Sequence, residues 1–256
     1  AATHAKPVAL GLSAPQGCGK TTLTNLLIER FADDNLLCAV LSIDDFYLTG
    51  ADQDALAAAN SANPLLQVRG NAGTHDVALG VATLEALLRG ERGVRLPRYD
   101  KSARGGRGDR LPLSEWPTLD EPPDVILLEG WMLGFSPVAE CADVEVTGIN
   151  SLLAAYDAWH RLMSRWVVVA ADDIANVYRW RLEAEHAMVA EGKPGMDDVA
   201  VEDFVDRYMP AYRTYLPSLH AAAASGGVNG LPTLLVPVGH DRLPTRMIEC
   251  ATEASS

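Results

Sequence analysis

The chain has 256 residues, 48% of them hydrophobic and 21% charged, which supplies a sizeable core for one α/β unit and excludes disordered or fibrous classes. A formal net charge of −13 argues against nucleic acid or an anionic membrane as a partner, because both are normally met by a broad basic surface. No apolar run approaches the length of a membrane span, so a soluble protein is expected.

Val8 to Leu12 is a short apolar run leading into Gly- and Pro-containing punctuation, and Leu23, Leu26, Leu27 and Phe31 then recur at helical spacing. The pattern is strand, loop, helix. Leu36 to Ile43 is a second apolar run, expected to be a strand buried on both faces of a parallel sheet, and it ends in Asp44 and Asp45. Residues 51–123 form a long stretch with one predicted helix near Thr74 to Leu88, followed by a Gly-, Arg- and Pro-rich loop. A loop of that length inside a compact domain is usually functional or disordered, and the stretch reads as an insertion. Val125 to Leu128 ends in Glu129-Gly130, Trp166 to Ala171 ends in Asp172-Asp173, and Thr233 to Val238 leads to Gly239-His240-Asp241. Between the last two runs, Ile174 to Val189 and Val201 to Leu216 read as helices separated by a turn from Glu191 to Gly195. Ala221 to Gly230 reads as a flexible connector. Polar residues thus recur at the same end of every predicted strand, where doubly wound sheets place their ligands.

Ala14-Pro15-Gln16-Gly17-Cys18-Gly19-Lys20-Thr21 has the spacing of a phosphate-binding (Walker A) loop, with Ala14 where the first Gly usually stands. A strand before it and an amphipathic helix after it are the context that separates this motif from chance. Gly17 and Gly19 let backbone N–H groups approach phosphate oxygens, and the helix N-terminus adds a positive dipole. Lys20 supplies a cation for the terminal phosphates, and the Thr21 hydroxyl is suited to ligate Mg²⁺. The expected ATP contacts run from Ala14 through Thr22, with no separate role for Thr22. Cys18 reads as a small residue that fits the turn. The fold class expected is therefore three-layer α/β/α of the P-loop NTPase type. It would have a mostly parallel five-stranded core sheet in a single unit over residues 1–256, an acceptor-binding insertion at about 51–123 and lid helices at about 172–216.

A carboxylate near the γ-phosphate can accept the proton of an attacking alcohol, so Asp44 and Asp45 matter. Ser42-Ile43-Asp44-Asp45-Phe46-Tyr47 resembles the pattern of the phosphoribulokinase, uridine kinase and pantothenate kinase group. That resemblance implies Asp44 as general base, Asp45 and Tyr47 as shaping residues, and Glu129 as the acidic residue that holds Mg²⁺ or its water. A further set of blocks, 67–76, 96–102, 128–135, 177–181 and 206–212, is similar to the plant-type D-glycerate 3-kinase family. It implies ATP-dependent phosphorylation of D-glycerate with Mg²⁺, in photorespiratory glycolate recycling.

Glycerate carries one carboxylate and two hydroxyls, which ask for cations and for carboxylates or imidazole. Arg69, Lys101, Arg104, Arg107 and Arg110 cluster in an otherwise acidic chain, with Arg69 or Arg104 the expected carboxylate grip and His75 and Asp76 expected to orient hydroxyls. Arg179 is expected to neutralise charge on the transferring group, with Arg181 either joining it or pairing with glutamates on its own helix. Fold analogy alone puts adenine at Gly239 to Pro244. A nucleoside, a pentose phosphate or pantothenate is the alternative acceptor. A GTP switch is disfavoured because no Asn-Lys-x-Asp follows a late strand.

Cys18, Cys38, Cys141 and Cys250 form no CxxC pair, so neither zinc nor a disulfide framework is indicated and a reducing compartment fits best. The expected partner is a small molecule, with no nucleic acid or membrane and a monomeric protein. The resemblance implies a chloroplast, and otherwise the cytoplasm. Ala1 in place of an initiator Met fits a processed or trimmed form.

Overall fold

The computed structural model describes residues 6–192 and 195–250; Lys193 and Pro194 of the expected turn, and Ala1, lie outside them. All five expected strands form: β1 (Val8–Ser13), β2 (Cys38–Ser42), β3 (Val125–Gly130), β4 (Arg165–Ala171) and β5 (Thr233–Val238). They are parallel neighbours in the order β5-β4-β1-β3-β2. A sixth strand, β6 (Ile248–Cys250), pairs antiparallel with the outer edge of β5, so among the described residues the sheet has six strands rather than five. Ile126, Leu127 and Leu128 are fully buried, as a strand covered on both faces requires. Gly11 in β1 stands beside Trp166 in β4, where an added Cβ would lie 2.6 Å from the indole. The absent side chain is what allows that large ring to lie across the sheet.

The helices cover the sheet in a three-layer arrangement: α1 (Lys20–Asp33) against β2, α3 (Val77–Leu88) against β3, and α8 (Met209–Ser225) across β4, β5 and β6. α2 (Gly50–Ala59) forms where no helix was expected, started by Thr49, whose hydroxyl accepts from the Asp52 N–H at 3.2 Å. α4 (Val144–Asn150) and α5 (Asp157–His160) lie between β3 and β4, and α6 (Asn176–Ala190) follows β4.

Two expectations are corrected. The single helix over Val201 to Leu216 is two, α7 (Asp198–Asp206) and α8, with Pro210 in the first turn of α8, where its missing N–H leaves no bond unmade. The connector from Ala221 is helical through Ser225, because the alanines fix little side-chain entropy and Ala223 is buried in the core.

The insertion is also more ordered than a loop. Val94–Arg95 pairs with Thr118–Leu119, and Tyr99–Asp100 pairs antiparallel with Asp109–Arg110, leaving residues 101–108 as the tip of a short ribbon. β1 lies between β3 and β4, where the strand order reverses, so a crevice opens at the C-terminal strand ends.

Candidate active site

Residues 14–19 leave β1 and enter α1. The Ala14 N–H donates to the Gly130 carbonyl at 3.2 Å, which ties the loop to the end of β3. Gly17 and Gly19 have φ of 75° and 97°, a left-handed backbone that side chains resist. A Cβ on Gly17 would also meet Trp180 Cβ at 2.7 Å. The loop is held from outside by two elements distant in sequence: the Gln16 N–H donates to the Tyr212 hydroxyl at 3.0 Å, and Arg242 Nε donates to the Gly17 carbonyl at 2.8 Å. Arg242 belongs to the segment where adenine was expected, so that segment borders the loop. Lys20 Nζ donates to the carbonyls of Ala14 and Pro15, both at 3.1 Å. Burial pushes the Cys18 thiol up, against the pull of Lys20, so it is a packed side chain and not an activated nucleophile. Thr22 is exposed and lies outside the cleft wall.

From this loop a cleft of about 800 Å³ extends past the end of β2 to the ribbon tip. Asp44 sits in a one-turn 3₁₀ helix, Ile43–Phe46, started by Ser42. Its Oδ2 lies 2.6 Å from Lys101 Nζ. Burial alone would raise the Asp44 carboxyl, but Lys101, then Tyr47 and His75, outweigh it and hold the group below its ordinary value. Asp45 does structural work: Oδ2 accepts from the Ser42 N–H at 3.1 Å and from Arg98 at 3.3 Å. Tyr47 is buried at the cleft wall and stacks on His75 with ring centroids 4.5 Å apart.

The structure does not bring His75 and Asp76 into the cleft wall. His75 lies behind Tyr47, its Nδ1 2.6 Å from the Tyr156 hydroxyl, and burial lowers its pKa to about 4. Asp76 caps α3, accepting from the Leu79 N–H at 2.9 Å, and pairs with Arg110 at 3.2 Å. Arg110 also donates to the Tyr47 carbonyl at 2.8 Å, so this cation braces the wall from behind. Arg179 is likewise outside, 60% exposed and paired with Glu183 at 2.8 Å. About half a helical turn matters here. Arg181, not Arg179, reaches the cleft, paired with Glu185 and lying over Phe204 at 4.9 Å.

The remaining cations line the ribbon side. Arg69 donates to the main-chain carbonyls of Gly106, Arg107 and Lys101, so it fixes the tip from below. Arg104 and Arg107 both pair with Asp54 of α2. Gly105, Gly106 and Gly108 all have positive φ, and the tip turns tightly over the cleft.

Glu129 is the next-to-last residue of β3, between Leu12 of β1 and Ser42 of β2. Its Oε2 is buried with no protein partner, and burial, opposed by Lys20, raises its carboxyl. An orphaned carboxylate oxygen at the cleft wall, with the Thr21 hydroxyl also on that wall, fits a hydrated Mg²⁺. Among the described residues no cluster of three His, Cys, Asp or Glu forms a metal cage.

No protein-family model matches the chain. D-glycerate 3-kinase from Cryptococcus neoformans superposes with a TM-score of 0.84 at 32% identity, covering 96% of this chain and 90% of that one. The chain belongs to the D-glycerate 3-kinase family. An uncharacterized kinase of Schizosaccharomyces pombe is 40% identical over 229 residues, covering 84% of this chain and 83% of its own. Chloroplastic D-glycerate 3-kinase of Arabidopsis thaliana is 50% identical over 228 residues, which is 86% of this chain and 50% of that protein. The chain therefore spans about half the length of the Arabidopsis relative.

The stretches that resemble the D-glycerate 3-kinase family converge on the cleft. Arg69, the neighbouring pair Tyr99 and Lys101, Glu129, Arg181 and Tyr208 come from five separate stretches of the chain and share its wall. Trp131, Tyr208 and Tyr99 were not singled out for the site by residue type, because aromatics are more often core, and Arg207 was not singled out either; their place inside those stretches was the available signal. Gln53 also lines the cleft, and nothing in the sequence marks it.

Proposed function

We propose that the chain transfers the γ-phosphoryl group of ATP to D-glycerate, giving 3-phosphoglycerate and ADP. One observation carries the reading: a cation-paired carboxylate, Asp44, shares one cleft with a phosphate loop. In this reading Asp44 accepts the hydroxyl proton of the acceptor, and Lys20 with the amides of residues 17–21 holds the polyphosphate. Lys101 meets the acceptor carboxylate, Arg104 and Arg107, paired with Asp54, add positive charge beside it, and Tyr47 and Arg69 keep the wall and the tip in place. Arg181 takes the charge-neutralising place first expected of Arg179. Thr21 and Glu129 would hold Mg²⁺, which when bound neutralises charge on the phosphates.

The reading treats the chain as one kinase domain with an acceptor-binding insertion at 51–123 and lid helices at 172–216. In this reading it acts as a monomer on a small molecule. No helix is long and apolar enough to cross a membrane among the described residues. Likeness to the Arabidopsis protein, which is chloroplastic, supports a chloroplast setting and a role in photorespiration.

The test is ADP release with D-glycerate, uridine, ribulose 5-phosphate and pantothenate, with the product position fixed by NMR. Phosphorylation of glycerate at the 3-hydroxyl is expected. Strong turnover of another acceptor with none of glycerate would refute the proposal.

A further inference from the structure

In the structure, the carboxylate proposed to take an alcohol proton is covered by an ammonium group. Lys101 Nζ lies 2.6 Å from Asp44 Oδ2, with the Lys101 side chain 59% exposed and that of Asp44 26% exposed, so the lysine closes over the carboxylate from the solvent side. The other cations of the ribbon side are engaged elsewhere: Arg69 with main-chain carbonyls, Arg104 and Arg107 with Asp54. Lys101 differs from them in mobility. Its main chain is fixed, because its carbonyl accepts from Arg69 at 3.3 Å, while its side chain is a flexible four-carbon stem ending in a point charge. A fixed base and a swinging cation make a latch.

We infer that Lys101 is a specificity-determining residue that masks Asp44 until an acceptor bearing a carboxylate draws its ammonium away. This rests on the phosphoryl-transfer reading above. With an acid-bearing acceptor, the ammonium moves to the acceptor carboxylate and Asp44 is freed. Asp44 then takes the hydroxyl proton, the acceptor oxygen bonds to the γ-phosphorus, and the bond from that phosphorus to the bridging oxygen breaks with its electron pair on ADP. With water or a neutral polyol in the same place, nothing competes for the ammonium. Asp44 stays paired, a weaker base, and transfer giving inorganic phosphate or glycerol phosphate is suppressed. The same device explains how a cleft open to solvent can limit idle hydrolysis of ATP.

The experiment compares wild type, Lys101→Met, Lys101→Gln and Lys101→Arg with D-glycerate, with glycerol and with no acceptor, following ADP, inorganic phosphate and phosphorylated product. In the Met and Gln variants, kcat/KM for glycerate is expected to fall about tenfold or more, the worth of one charge-assisted contact, while acceptor-free hydrolysis and glycerol turnover rise several-fold. Lys101→Arg keeps the cation and should keep both side reactions low. In Lys101→Met combined with Asp44→Asn, the rise should vanish, because the latch acts through Asp44. Hydrolysis and glycerol turnover that stay at or below wild type in both neutral variants would overturn the inference and leave Lys101 a plain carboxylate clamp, and so would a rise that survives loss of Asp44. Absence of glycerate turnover in the wild type would instead refute the functional proposal.

Discussion

At Asp44 two influences oppose each other. Burial raises its carboxyl, and Lys101, Tyr47 and His75 more than reverse that, so the group ionises below the ordinary aspartate value. The acid limb of kcat/KM that belongs to this base should therefore lie on the low side of the ordinary carboxylate range, and Lys101→Met should move it upward, because the cation is gone and burial remains. A wild-type limb above the range would point to Glu129, whose carboxyl burial raises. Asp44→Asn should lower kcat by about a hundredfold or more with the KM for ATP little changed; equal loss in both would indicate a metal-binding or structural role. At Gly17, a side chain meets both a positive φ of 75° and the Trp180 Cβ at 2.7 Å. Gly17→Ala should raise the KM for ATP about tenfold or more, the cost of roughly 1–3 kcal/mol for a strained residue, and ATP titration by fluorescence checks it.

At the scale of elements, the ribbon tip is positioned by α2, which the sequence did not announce. Asp54 of α2 takes both Arg104 and Arg107, and the Gly50 N–H donates to Asp109 Oδ1 at 2.8 Å, so helix and ribbon are fastened at two places. Asp54→Ala should raise the KM for glycerate roughly two- to fivefold, the range of partly exposed ion pairs, and leave the KM for ATP unchanged. Steady-state kinetics with each substrate varied in turn separates the two. A parallel rise in both constants would mean that α2 supports the whole cleft and not the acceptor end. The helical readings failed or held for the same kind of reason: α1 and α3 carry apolar spacing, while α2 is started by a Thr49 cap and is held in place by tertiary contacts.

For the whole molecule, the core contains imidazoles that must stay neutral. Burial lowers His75 and His160 to about 4 from an ordinary 6.5, and lowers His220 as well. His160 Nε2 accepts from the Gly134 N–H at 3.0 Å, a bond that the protonated ring cannot make. The unfolded chain binds protons at these sites below pH 6.5 while the folded chain does not, so stability is full above that value and falls as pH drops toward 4. Each of His75 and His160 should contribute on the order of 2 kcal/mol of this loss by about pH 5. The raised carboxyls of Asp45 and Glu129 act in the opposite sense. Urea denaturation at pH 7 and pH 5 should show the loss, and His160→Gln should remove part of the difference. A pH-independent midpoint in the wild type would contradict neutral buried histidines.

Local order was legible in the sequence wherever a short-range rule decided it. The five parallel strands followed from continuous apolar runs, the phosphate loop from Gly17, Gly19 and Lys20 at fixed spacing between a strand and a helix, and the position of Asp44 from its place at a strand end. What depended on distant partners was not legible. His75 and Asp76 read as hydroxyl-orienting groups, yet packing against Tyr156 and Arg110 turns them into supports behind Tyr47. Arg179 and Arg181 are two residues apart on one helix, about 200° around its axis, and only the docked helix decides which of them meets the cleft. The lysine that covers Asp44 is 57 residues away along the chain, and the fold alone brings them within 2.6 Å.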